Sequence, residues 1–213
     1  MITVDIRAKS FGKTQVLGPI SFSVETGETL AILGPSGIGK STLLRIVAGI
    51  DTRFDGTVQR PGSCAIVFQE PTLLPWRSAL QNLCLVHPGL DEAAAREALG
   101  RVGLGDKADL FPGQLSLGQQ RRLALARAFA GEPDLLIMDE PFVSLDAETA
   151  ETMLALTEAL LADVAPAAIF VTHARAEAER LATRIIELQG APATVRLDPQ
   201  PGQEEGDPPH DRA

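Results

Sequence analysis

The sequence predicts an α/β fold: a mainly parallel sheet flanked by helices, with an antiparallel N-terminal β subdomain and an inserted helical subdomain. Three observations predict it. Short, mainly apolar runs at residues 30–33, 65–68, 135–138, 168–172 and 185–188 have the length and composition of buried strands in a mainly parallel sheet. Helical periodicity fills several of the gaps between them, at 41–48, 117–130 and 147–161. Near the N-terminus, Val4 and Ile6, then Ile20, Phe22 and Val24, alternate instead with polar residues, as half-buried antiparallel strands do.

In chain order, the run 30–33 leads into Gly34, Pro35, Ser36, Gly37, Ile38, Gly39, Lys40, Ser41 and Thr42, and these lead into the helix 41–48. Strand, glycine-rich loop and helix, with the spacing G-x-x-x-x-G-K-[ST], make a phosphate-binding loop and specify the sheet as a P-loop NTPase core. At such a helix N-terminus, unpaired backbone N–H groups and the helix dipole favour a polyanion. Gly37 and Gly39 let the backbone curl round phosphate oxygens. Lys40 can reach the β- and γ-phosphates, and the Ser41 hydroxyl can ligate Mg²⁺. The chain is therefore expected to bind a nucleoside triphosphate.

From residue 71 to 131 the sequence has only helix and loop signals. Asp91 is a candidate N-cap for a helix over 92–102, with Gly103 just past its end. The expected organisation is a core of 1–70 and 132–197 with a helical subdomain at 71–131. The stretch 198–213 holds Pro, Gly, Gln, Asp and Glu and no large apolar residue, which predicts a disordered acidic tail.

Composition narrows the class. A length of 213 residues suits one large α/β domain. The apolar runs are too short to cross a bilayer, and the N-terminus alternates like a strand rather than following a signal-peptide layout, so a cytosolic protein is expected. Cys64 and Cys84 have no metal-ligand spacing and suit a reducing compartment as small core residues. A net charge of −9, with no Lys/Arg-rich run, argues against nucleic acid as the main partner.

The residues that end the buried runs carry the chemistry. The run 65–68 ends in Gln69, 135–138 ends in Asp139 and Glu140, and 168–172 ends in His173. In an open parallel sheet, ligands sit beyond the carboxyl ends of the strands, so these side chains are expected to face the bound phosphates. Asp139 would hold Mg²⁺, directly or through water. Glu140 would orient and polarise the attacking water. Gln69 offers an amide oxygen to Mg²⁺ or water, and His173 could sense the γ-phosphate and fix Glu140. A second candidate anion site is formed by Leu115, Ser116, Leu117, Gly118 and Gln119, where Ser116 opens the helix that follows; these five residues alone favour an ordinary Ser N-cap. One bound triphosphate does not need two such sites on the same chain.

With these motifs in place, the chain resembles the nucleotide-binding subunit of an ATP-binding cassette (ABC) transporter over about residues 2–190. The family's motifs occur in order: residues 34–42 as Walker A, Gln69 as Q-loop, 115–119 as signature, 135–140 as Walker B, Ser144, Leu145 and Asp146 as D-loop, and His173 as H-loop. Phe11 stands where the family places an aromatic that stacks on adenine, in place of the commoner Tyr. Leu117 replaces the usual first signature Gly, and Ala174-Arg175 follows His173 in place of the usual acidic residue. The resemblance implies two cassettes sandwiching two ATP, each site completed by the partner copy's Ser116 and Gly118. The segment 69–77, Gln-Glu-Pro-Thr-Leu-Leu-Pro-Trp-Arg, looks like the nitrate/sulfonate/taurine and thiamine-precursor importer branch. This implies contact of Leu73, Leu74 and Trp76 with a separate integral-membrane permease, peripheral attachment to the inner face of the membrane, and an external solute-binding protein. For Leu73, packing inside the helical insertion is an equal alternative. The other reading of the whole chain is a non-transport ABC ATPase acting as a mechanical or assembly factor in a soluble complex.

Overall fold

The computed structural model describes residues 1–197, so the expected disordered tail, 198–213, lies outside the described residues. In chain order the elements are β1 (Ile2–Phe11), β2 (Thr14–Leu17), β3 (Ile20–Val24), β4 (Thr29–Leu33), α1 (Lys40–Val47), β5 (Asp55–Gln59) and β6 (Cys64–Val67). There follow α2 (Ala79–Cys84), α3 (Glu92–Arg101), α4 (Leu117–Phe129), β7 (Leu135–Asp139), α5 (Ala147–Val164), β8 (Ala167–Thr172), α6 (Arg175–Leu181), β9 (Arg184–Gln189) and β10 (Thr194–Leu197).

The strands form two sheets. In the larger, of order β10-β9-β4-β8-β7-β6, β4 runs parallel to both β8 and β9, and β7 and β6 extend the parallel run beyond β8. Only β10, at the edge, is antiparallel. In the smaller sheet β1 pairs antiparallel with β3 and β2 along one edge and with β5 along the other. The β1–β5 pair is close enough that a Cβ on Gly56, opposite Ile6, would fall 2.1 Å from the Asp5 carbonyl oxygen; Gly56 also has φ 138°, so glycine is required there.

Period two along the central strands explains why their runs are apolar throughout. Leu30 and Ile32 of β4, with Leu135, Ile137, Ile169 and Val171, pack on the face that meets α1 and the antiparallel sheet. Ala31 and Leu33, with Leu136, Met138 and Phe170, pack on the other face, against α2, α3, α4 and α5. A strand with a core on both sides has no position for a polar residue until it ends. That confines polar side chains to the carboxyl edge, which is where the functional candidates lie.

The segment between β6 and β7 holds α2, α3, α4 and two short 3₁₀ turns, and no strand. Asp91 caps α3 by accepting from the Ala94 N–H at 2.8 Å, and Gly103 follows with φ 70°. Five elements were not individually marked by the sequence: β2, β5, β10, α2 and α6. All are short, and β2, β5 and β10 are sheet edges, where burial imposes less pattern.

One of the two cysteines departs from expectation. Cys64 is exposed, whereas Cys84 is partly buried and packs against the edge of the core. Cys64 opens β6, the edge strand of the large sheet, and Cys84 is the last residue of α2.

Candidate functional site

The loop after β4 turns back into α1 through left-handed glycines. Gly39, the residue before α1, has φ 116°, and a Cβ there would fall 2.7 Å from Leu17 Cδ2, so both conformation and β2 exclude a side chain. Gly37, with φ 79°, has open space around it. The loop thus lies against β2 on one side and presents bare backbone on the other.

Lys40 is only 5% exposed, and its ammonium is folded into this loop. Nζ donates to the carbonyls of Gly34 at 2.8 Å and Pro35 at 3.2 Å and lies 3.2 Å from Glu140 Oε1. Next to it, the Ser41 hydroxyl donates to Asp139 Oδ1 at 3.2 Å. Burial pushes the Asp139 carboxyl above the usual range; the Ser41 hydrogen bond opposes this and neighbouring Glu140 adds to it.

Glu140 is placed by strain. It follows β7 with φ 46°, its N–H donating to the Val171 carbonyl of β8 at 3.1 Å. That turn aims the carboxylate across the carboxyl edge of the sheet, with Oε2 3.7 Å from His173 Nδ1. Four strand-end residues from three strands are thereby gathered. Gln69, Asp139 and Glu140 line one cleft with Ser36, Gly37, Gly39, Lys40, Ser41, Thr42 and Phe11, and His173 reaches it through Glu140. Gly34, Pro35 and Ile38 shape the loop without lining the cleft, and Ile38 packs on the core. Val16 was missed: it lines the cleft beside Phe11, and only the pairing of β1 with β2 brings it there.

The signature candidates are elsewhere. Ser116 is the N-cap of α4, its Oγ accepting from the Gln119 N–H at 3.2 Å while Gln119 Oε1 accepts from the Ser116 N–H at 2.9 Å. Ser116, Gly118 and Gln119 line a second cleft with residues of α5, and no residue of that cleft belongs to the first. Leu115 is buried, and Leu117 is 51% exposed on the outside of the turn. Of the 144–146 segment, Leu145 packs on the core, and Asp146 caps α5, accepting from the N–H and hydroxyl of Thr149 at 2.9 and 2.7 Å. Ser144, with φ 60°, lines a third cleft with Gln69, Leu73, Pro112 and Leu117.

The loop after Gln69 is tied to α4. Arg127 donates to the carbonyls of Pro71 at 3.1 Å and Thr72 at 2.9 Å, and to Thr72 Oγ1 at 3.1 Å, holding Thr72 at φ 46°. Asn82 of α2 bonds both backbone groups of Leu74. Leu73 packs partly buried on the core, Leu74 is half-buried, and Trp76 is 68% exposed. Sequence reasoning passed over Arg127 and Asn82 because their partners are backbone groups, which no motif records.

Among the described residues no three His, Cys, Asp or Glu side chains gather as a metal-binding group. The adjacent carboxylate and hydroxyl of Asp139 and Ser41 are hard oxygen donors, few in number and open to the loop. They fit Mg²⁺, which takes one or two protein oxygens and fills its shell with water and phosphate.

Known proteins resemble this chain in sequence and in fold. A family model described as ABC transporter matches residues 17–143. The chain is 48% identical over 194 residues to an aliphatic sulfonates import ATP-binding protein, SsuB, of Mycobacterium sp. (strain MCS), covering 88% of this chain and 79% of that one. It is 45% identical over 202 residues to an SsuB of Frankia alni, covering 93% and 80%. A solved dimeric structure, described as a post-hydrolysis state of the ATP-binding cassette MJ0796 bound to ADP and Pi, matches with a TM-score of 0.80 at 28% identity, over 95% of this chain and 100% of that one.

Proposed function

The chain belongs to the ABC transporter family, among its ATP-binding cassettes, and from that premise we propose a residue-level account of its work as the ATPase of an importer. The cleft lined by Phe11 and the phosphate loop takes ATP: the base lies against Phe11, and the loop amides with Lys40 hold the phosphates. Lys40 leaves the carbonyls of Gly34 and Pro35 and turns to the β- and γ-phosphates. Its contact with Glu140 breaks at the same time, which frees that carboxylate to accept a proton from the attacking water. His173, beside Oε2, holds Glu140 in place, and Gln69 orients the water or the ion's shell. Ser41 and Asp139 would hold Mg²⁺, which supplies charge neutralisation at the phosphate oxygens.

One observation supports the paired arrangement above the others. Lys40, Asp139 and Glu140 meet at the phosphate loop, whereas Ser116 and Gly118 line a separate cleft of the same chain. A second copy, head to tail, can bring its α4 N-terminus to the γ-phosphate of the first. Exposed Trp76, with Leu74 and Leu73 beneath it, is the contact for a permease at the cytoplasmic face of the membrane. Among the described residues no helix is long and apolar enough to cross a membrane. Kinship with the SsuB proteins supports aliphatic sulfonates as the solute class, with an external binding protein to deliver them.

Phosphate release tests the chemistry. Glu140→Gln should bind ATP within a few-fold of the wild type and turn over about 10²–10³-fold more slowly; near-normal turnover removes Glu140 from the mechanism. Co-purification of a polytopic membrane protein, and loss of alkanesulfonate uptake on deleting the gene, test the transport assignment. A partner that is entirely soluble would instead indicate an assembly factor.

A further inference from the structure

Phe11 ends β1 with its ring 52% exposed at the mouth of the nucleotide cleft. A cation lies over one face of this ring. Lys9, two residues earlier in the strand, is 2% exposed, and its ammonium stands 4.5 Å from the centroid of the Phe11 ring. The ammonium is itself anchored: Nζ donates to the Arg53 carbonyl at 2.7 Å and pairs with Asp51 Oδ2 at 2.5 Å. The hydrogen bond from Lys9 is the main reason the Asp51 carboxyl is held below the usual range. Asp51 and Arg53 belong to the segment just beyond α1, so the helix that begins at the phosphate loop also sets, at its far end, the cation behind the ring.

We propose that Lys9 is a positioning residue for nucleobase recognition: its buried ammonium fixes the Phe11 ring and draws π-density toward itself, so that the free face stacks on the base. The faces of two aromatic rings are both negative and repel when stacked. A cation behind one ring lowers that repulsion, and a desolvated ammonium over a ring also resists displacement of the ring itself. A purely structural Lys9–Asp51 pair would leave base binding untouched. The proposal rests on the reading of Phe11 as the base-stacking residue, and the test separates the two.

Calorimetry on the full chain, with MgATP and inorganic tripolyphosphate as probes, makes that separation because tripolyphosphate has no base. Phe11→Ala should weaken ATP about tenfold or more with tripolyphosphate unchanged. Lys9→Met combined with Asp51→Asn, which removes both buried charges, should weaken ATP about three- to tenfold, again with tripolyphosphate unchanged. In the Phe11→Ala background the pair of substitutions should have no further effect on ATP. Lys9→Arg, which keeps the cation, should retain most of the ATP affinity, and Asp51→Asn alone, a milder change, should shift the ATP-to-tripolyphosphate ratio in the same direction as the pair. The proposal falls if the Lys9 and Asp51 variants lower both probes equally, or lower ATP as much without Phe11 as with it. If Phe11→Ala leaves ATP affinity intact, the stacking role of Phe11 falls first and the role of Lys9 with it.

Discussion

Lys40 is held by three partners of its own chain, the carbonyls of Gly34 and Pro35 and the carboxylate of Glu140. Its buried charge is thus partnered within the chain. Substituting Lys40→Ala removes the phosphate contact and leaves the half-buried Glu140 carboxylate without its cation. ATP affinity, measured by calorimetry, is predicted to fall about tenfold or more; an unchanged affinity would contradict the assignment of the loop. At this scale the sequence was legible wherever the determinant is local. Residues 34–42 fix spacing and backbone freedom within nine positions, and Gln69, Asp139, Glu140 and His173 stand out because each ends an apolar run. Val16, Lys9 and Arg127 did not stand out, since what gives each its place is a partner distant in the chain or a backbone group. Cys64 misled because the usual burial of cysteine says nothing of a residue that opens an edge strand.

Among the elements, α4 stands out for joining two functions. Its N-terminus carries Ser116 and Gly118, and its last turn carries Arg127, which grips Pro71 and Thr72 in the loop leading to Trp76. In the proposed head-to-tail dimer, motion of α4 toward the partner's nucleotide would pull on that loop through Arg127. Arg127→Met, which keeps the aliphatic bulk and loses the donors, is predicted to speed amide exchange across residues 71–76 about tenfold while sparing α1. Unchanged exchange there would show that the loop is held by Asn82 alone and that α4 does not drive it. The long elements were legible because burial on two faces, or amphipathic periodicity, spans enough residues to register: β4, β7, β8 and α4 are examples. The edge strands β2 and β10 and the short helix α6 gave no such signal; their positions follow from pairing with elements already in place.

Across the whole molecule the phosphate loop and the Ser116–Gln119 turn line separate clefts, which the proposed dimer joins into one nucleotide site. That separation was the one global feature the sequence suggested before any geometry, because a single triphosphate has no use for two helix-end anion sites on one chain. Which cleft each motif lines could not be read from order alone, since it depends on the parallel arrangement of β4, β8, β7 and β6 and on α4 packing at the far end of that row. The account therefore stands on association. Sedimentation velocity of Glu140→Gln, with and without MgATP, tests it most directly. The prediction is a species of one chain, 22.6 kDa, without nucleotide, a two-chain species with ATP, and return to one chain when Gly118→Asp is added to the same protein. A Glu140→Gln chain that stays single when saturated with ATP, or a dimer indifferent to Gly118→Asp, would contradict the shared site.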